Sequence, residues 1–258
     1  MDYKSDYILH TEFEIINKFL RKKYNRSLLE NKHLIEFTES CILLLLSLKF
    51  WEKKLEETYK DKADTIKYIQ EMISDLLNIM ILTPLEMKIP ALFLIRRLQE
   101  LSLKYIYFFD HQIECIKKEE DENYKTIKNL QEIKEYIKNY PFSNKYNIDK
   151  SKLENLITNI IKNWDNSYKE MSNYVHASNT SYFDKVNYLN DFKFEDKDII
   201  FINNHIKNIS SVVNSLFIIF HFKDYVRFAD YPEKCMIRSS IESELNYKKK
   251  IIDIFKEI

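Results

Sequence analysis

One histidine and one charged stripe carry the chemistry this sequence offers. His176 lies in the run SNYVHAS, bracketed by Ser172 and Ser178 and preceded by Tyr174 and Val175, so that an apolar helix face delivers an imidazole to a polar spot. Imidazole changes charge near neutral pH and can take or give a proton in a reaction. Arg96, Glu100 and Lys104 recur at i, i+4 and i+8, flanked on their own side by Ile89, Leu92, Phe93, Leu103 and Tyr107. Charges set in so apolar a surface are tolerated only when paired, so they form either a structural ion pair or part of a site. The plainer readings are a capping or core histidine, and an intrahelical pair worth about 0.3–0.5 kcal/mol with Arg97 and Lys104 solvated. The other histidines have bland settings: His10 and His33 in polar surroundings, His111 near a helix end, His205 and His221 within a late helix.

A helix over residues 89–109 must position the charged stripe. At about 100° per residue, Ala91, Leu94, Ile95, Leu98, Leu101, Tyr105 and Phe109 form a broad apolar face, and the helix is greasy nearly all round. Pro90 sits in its first turn, where a missing N–H costs little, and the helix is expected to continue to about Lys118. Before it, helices are expected over residues 6–23, with Ile8, Phe13, Ile16 and Leu20 inward, over 31–59, and over 64–82, which Thr83-Pro84 stops. After it, Glu119–Asn123 reads as an acidic tip and 124–139 as a returning helix. Ser151-x-x-Glu154 reads as a capping box for the helix that leads into residues 168–178. A loop over 179–198 with a short hairpin around 182–194 follows, then helices over 199–228 and 233–258. No internal repeat or low-complexity linker interrupts this pattern, so the expectation is an all-α helical bundle. It is a single compact unit or two closely packed helical subdomains, divided as an N-terminal segment over 1–83 and a bundle over 84–258.

Composition narrows the function. The chain has 258 residues, no glycine, four prolines and equal numbers of basic and acidic residues, 40 each. Without glycine there is no GxGxxG, P-loop or nucleophile elbow, and without net charge any nucleic-acid contact has to be local. No cofactor is implied. A lone Glu-x-x-His (Glu30 to His33) has no second copy, and HExxH motifs and Cys/His clusters are missing, so no metal site is expected. Cys41, Cys115 and Cys235 form no CxxC pair and read as free thiols of a reducing compartment. The start, MDYKSDYILH, is charged where a signal peptide is apolar, and the run 41–48 is far short of the ~20 residues that span a bilayer. A cytoplasmic protein without a membrane partner is expected.

The Arg-x-x-x-Glu of the apolar helix, followed later by Y-x-x-M-S-x-Y-V-H-A-S (168–178), resembles the HEPN superfamily, in particular its divergent abortive-infection branches, over roughly residues 84–228. The resemblance implies a helical bundle, commonly a homodimer, whose cleft cuts RNA without a metal. It implies His176 as acid or base, Arg96 on the phosphate, Glu100 holding Arg96, and Lys169, Ser172, Ser178, Arg97 and Lys104 as substrate-binding residues. The family's usual arginine precedes its histidine on the same helix; here Lys169 stands in that window, or Arg96 takes its role from the facing helix. Two functions follow: an endoribonuclease of phage defence or a toxin, and a catalytically inactive helical binding protein that regulates a partner through its charged terminal helices.

Overall fold

A computed structural model describes residues 3–121, 123–124, 129–142, 148–176, 178–180 and 194–255, with side chains from Tyr7 onward. Among the described residues the protein is an all-α helical bundle. Its helices are α1 (Tyr3–Tyr24), α2 (Lys32–Thr58), α3 (Ala63–Leu82), α4 (Lys88–Asp110), α5 (Gln112–Glu120), α6 (Leu130–Lys138), α7 (Lys150–Val175), α8 (Asp196–Phe220), α9 (Phe222–Phe228), α10 (Tyr231–Ser239) and α11 (Tyr247–Phe255). The expected hairpin near residue 182 falls largely outside the described residues. No described helix is long and apolar enough to cross a membrane.

Two helices form the centre. α4 buries Ala91, Leu92, Ile95, Leu98, Leu103 and residues 105–108, which leaves its polar groups few places to go. α8 is buried without interruption over residues 209–220, more completely than its amphipathic pattern suggested. α3 and α7 flank α4, while α2 and α7 pack on α8. Residues of the first 83 positions, among them Phe37, Trp51 and Leu76, belong to the same hydrophobic cluster as Leu98 and Phe217. Burial of this apolar surface is the main force holding the bundle.

Polar contacts decide where helices end. The central helix stops at Asp110 because His111 leaves the helical region, stacks on Tyr107 at 4.1 Å and starts α5, instead of carrying the helix on to Lys118. The helix expected over 199–228 is broken at His221, whose ring nitrogen meets the Tyr105 hydroxyl at 2.9 Å and whose other nitrogen lies 3.6 Å from Asp224. The final stretch divides into α10 and α11. The capping box expected at Ser151 is not the cap: Asp149 accepts from the Lys152 N–H. A chain without glycine must also use other residues where φ is positive, and here Asn25 and Asn246 serve, the residue type that visits this region most readily, together with Glu86. Ile8 is 38% exposed, so of the expected inner stripe of α1 only Phe13, Ile16 and Leu20 pack on the core.

Candidate functional site

Two ladders at four-residue spacing face one another and run in opposite directions, Arg96 meeting His176 while Glu100 meets Tyr168. Arg96, Glu100 and Lys104 climb α4; Tyr168, Ser172 and His176 climb α7 and its C-cap. The helices pack together because α7 turns Leu153, Leu156, Ile157, Ile160, Ile161, Trp164 and Met171 inward, and the Trp164 indole N–H bonds the Gln99 carbonyl of α4. That packing carries the second ladder against the first. Arg96 Nη1 lies 2.5 Å from His176 Nε2, Arg96 Nη2 donates to the Tyr168 hydroxyl at 2.8 Å, and Tyr168 donates to Glu100 Oε1 at 2.7 Å. Glu100 also pairs with Arg96 Nε at 3.5 Å and with Lys104 at 3.6 Å.

The cluster is graded from dry to wet. Arg96 and Glu100 are mostly covered, whereas His176 is exposed at the rim. Below the guanidinium, Tyr168 stacks on Trp164 with centroids 4.6 Å apart and rings 13° from parallel, with Arg96 on one side at 4.8 Å and Lys134 on the other at 5.5 Å. This cation–aromatic sandwich fixes the rings and, through them, the guanidinium. Burial, and then the bond to Glu100, push the Tyr168 hydroxyl above its ordinary pKa, so it remains a donor to that carboxylate. An Arg N–H can bond an imidazole nitrogen only when that nitrogen carries no proton, so the contact selects the neutral ring with its proton on Nδ1.

The remaining sequence candidates divide. Lys169 is exposed and makes no ion pair among the described residues, and it lies two helical turns before His176 on the same face. Arg97 is not part of this cluster: it points to α3, where its guanidinium grips the fully buried Asp75 carboxylate and reaches Glu71. Ser172 and Ser178 do not reach the imidazole. Ser172 donates to the Tyr168 carbonyl at 2.7 Å and Ser178 bonds back to Asn173, each satisfying the backbone near the end of α7.

Several polar residues that sequence reasoning passed over matter here. Tyr168 joins Arg96 to Glu100, and its spacing from His176, matching that of the α4 ladder, was the signal for it. Lys88, at the start of α4, bonds Asp198 of α8 at 2.8 Å and lies 4.8 Å from the Tyr174 ring, bracing the segment before His176. Asp198 is partly desolvated, which pushes its carboxyl up, yet the Lys88 bond and a backbone N–H hold it below the ordinary carboxylate range. His205, buried behind α7, bonds Ser167 at 2.8 Å and is pushed down to about 4 by burial. Among the described residues no group of three His, Cys, Asp or Glu side chains is disposed to hold a metal ion. Comparison with family models, with characterised proteins and with solved structures gave no match to this chain.

Proposed function

We propose that Arg96 and His176 are the centre of a metal-independent endoribonuclease of HEPN type, acting in phage defence or as a toxin. The observation that supports this reading is the direct contact of an exposed imidazole with a guanidinium held from behind by Tyr168 and Glu100. A phosphodiester entering the rim would take Arg96 in place of the imidazole, and the freed His176 Nε2 would accept the proton of a ribose 2′-hydroxyl. The 2′-oxygen then attacks phosphorus, the bond to the 5′-oxygen breaks, and that oxygen takes up a proton, leaving a 2′,3′-cyclic phosphate and a 5′-hydroxyl. Arg96 meets the charge that grows on the phosphate. Lys169, exposed and without an ion pair among the described residues, would hold a neighbouring phosphate from the same helix face.

One imidazole serves one proton transfer at a time. A homodimer built through residues 84–258 would supply the partner subunit's His176 as the acid, which gives the symmetric assembly a chemical purpose. The test is cleavage of single-stranded RNA by the purified chain in the presence of a chelator. His176→Ala should abolish cleavage and cell toxicity with the helical spectrum unchanged. Cleavage that survives in His176→Ala would discard the reading.

A second reading has its own observation: the Arg96 guanidinium is already engaged by Tyr168, Glu100 and His176. In that case the cluster ties α4 to the end of α7 in a catalytically inactive helical protein that binds a partner. Arg96→Ala then lowers stability and changes no reaction.

A further inference from the structure

Apart from the Arg96 cluster, the C-terminal helices enclose chemistry that the function above leaves unused. A cavity of about 230 Å³ lies between α8, α9, α10 and α11. Ile218, Phe222, Val226, Ile241, Ile251 and Phe255 make its wall apolar, and three cations, Lys234, Arg238 and Lys248, stand around it. None of the residues lining it is acidic. Two of the cations are occupied: Lys234 donates to the Val226 carbonyl at 3.2 Å, and Arg238 Nε donates to the Tyr225 hydroxyl at 3.0 Å.

Lys248 differs from both. It is partly buried and makes no ion pair or hydrogen bond among the described residues. Burial, with no acid opposing it, pushes its ammonium below the ordinary lysine range. A desolvated cation without a partner is a standing cost to the fold, and an anion placed beside it would remove that cost. The apolar wall excludes a strongly hydrated polyanion, and of the three cations only Lys248 has no polar partner among the described residues, which leaves one ammonium for one carboxylate. At ~30 Å³ per water-sized group, the cavity holds roughly eight such groups.

We propose that this cavity binds a small amphipathic monocarboxylate of medium-chain acyl type, with its tail among Ile218, Phe222, Ile251 and Phe255 and its carboxylate against Lys248. The ligand is recognised by two features at once. The wall takes the chain, as apolar pockets with a few placed polar groups do, and Lys248 distinguishes an acid from an alcohol of the same length.

Calorimetric titration of the full chain with octanoate and with octanol tests this, using the wild type, Lys248→Met and Ile252→Trp, the last placing an indole in the cavity wall. We expect one octanoate per chain, bound at least tenfold more tightly than octanol. Lys248→Met should lose at least tenfold in octanoate affinity, keep its octanol affinity, and melt no lower than the wild type without ligand. Ile252→Trp should bind neither. Octanoate that does not bind the wild type, that binds no better than octanol, or that binds Lys248→Met as tightly as the wild type would overturn the proposal.

Discussion

His176 Nε2 rests 2.5 Å from Arg96 Nη1 across 80 positions of sequence, and the bond demands an unprotonated nitrogen. The relationship gives the two residues different expected phenotypes. His176 is exposed, so His176→Ala should leave the melting temperature almost unchanged while removing any RNA cleavage. Arg96 bridges Tyr168, Glu100 and His176 in a mostly covered position, so Arg96→Ala should cost about 1–3 kcal/mol as well as activity. Urea unfolding beside a cleavage assay separates the two effects.

The dimer is tested by sedimentation at high micromolar concentration. We expect a two-fold dimer, with activity falling faster than linearly on dilution through the dissociation range. A chain that sediments as a monomer at every concentration yet remains active would remove the partner subunit's His176 from the chemistry.

Asp75 and Arg97 form the pair whose loss should hurt stability most. The Asp75 side chain has no exposed surface, and burial outweighs the Arg97 bonds enough to hold its carboxyl above the ordinary range. Arg97→Met strands a buried carboxylate at a cost of about 3–5 kcal/mol at neutral pH. A folded-state pKa above the unfolded one means that the native state binds more protons between the two, so stability falls as pH rises through that window. Removing Arg97 raises the folded value further. The Arg97→Met protein should therefore regain part of its lost stability as pH is lowered toward the ordinary carboxylate value. Melting curves across that range check the sign.

His205 should make the wild type acid-sensitive in the opposite sense. Its folded-state value of about 4 lies below the unfolded value, so the unfolded chain binds the proton first. Stability from this residue is complete above the unfolded histidine value of about 6.5 and is lost as pH falls toward 4, by about 3 kcal/mol in all. His205→Gln should flatten the pH dependence of the urea midpoint between those limits. A wild type whose midpoint is already flat there would contradict the burial argument.

Periodicity alone made much of the bundle legible. The central helix was expected over 89–109 and is Lys88–Asp110, because a segment apolar nearly all round has no stable exposed form. The ladder of Arg96, Glu100 and Lys104 was legible for the same reason: charges on such a helix need partners, and residues 168–178 offered an imidazole beside an apolar helix face; that Tyr168 is the hydroxyl which joins Arg96 to Glu100 was not read from the sequence. What escaped were polar groups whose partners are remote in sequence. Nothing local in Asp75, His205 or His221 distinguishes a buried side chain from a solvated one, since each is buried by helices far along the chain. Arg96 and Arg97 are adjacent in sequence, and sequence placed both on one site. One helical residue turns the side chain by about 100°, which sends Arg97 to Asp75 on α3 and leaves Arg96 facing α7.

The sequence by itself determined the all-α class, the position of the central helix and the residue types that its charged stripe needed. Those follow from local physics: helical spacing of apolar groups, the absence of glycine, and the cost of burying charge. Tertiary structure decided which charge met which partner, where the helices broke at His111 and His221, and that three cations gathered at an apolar cavity near the C-terminus. These depend on which helices pack together, and packing is set by the summed burial of many side chains, a quantity no single motif contains.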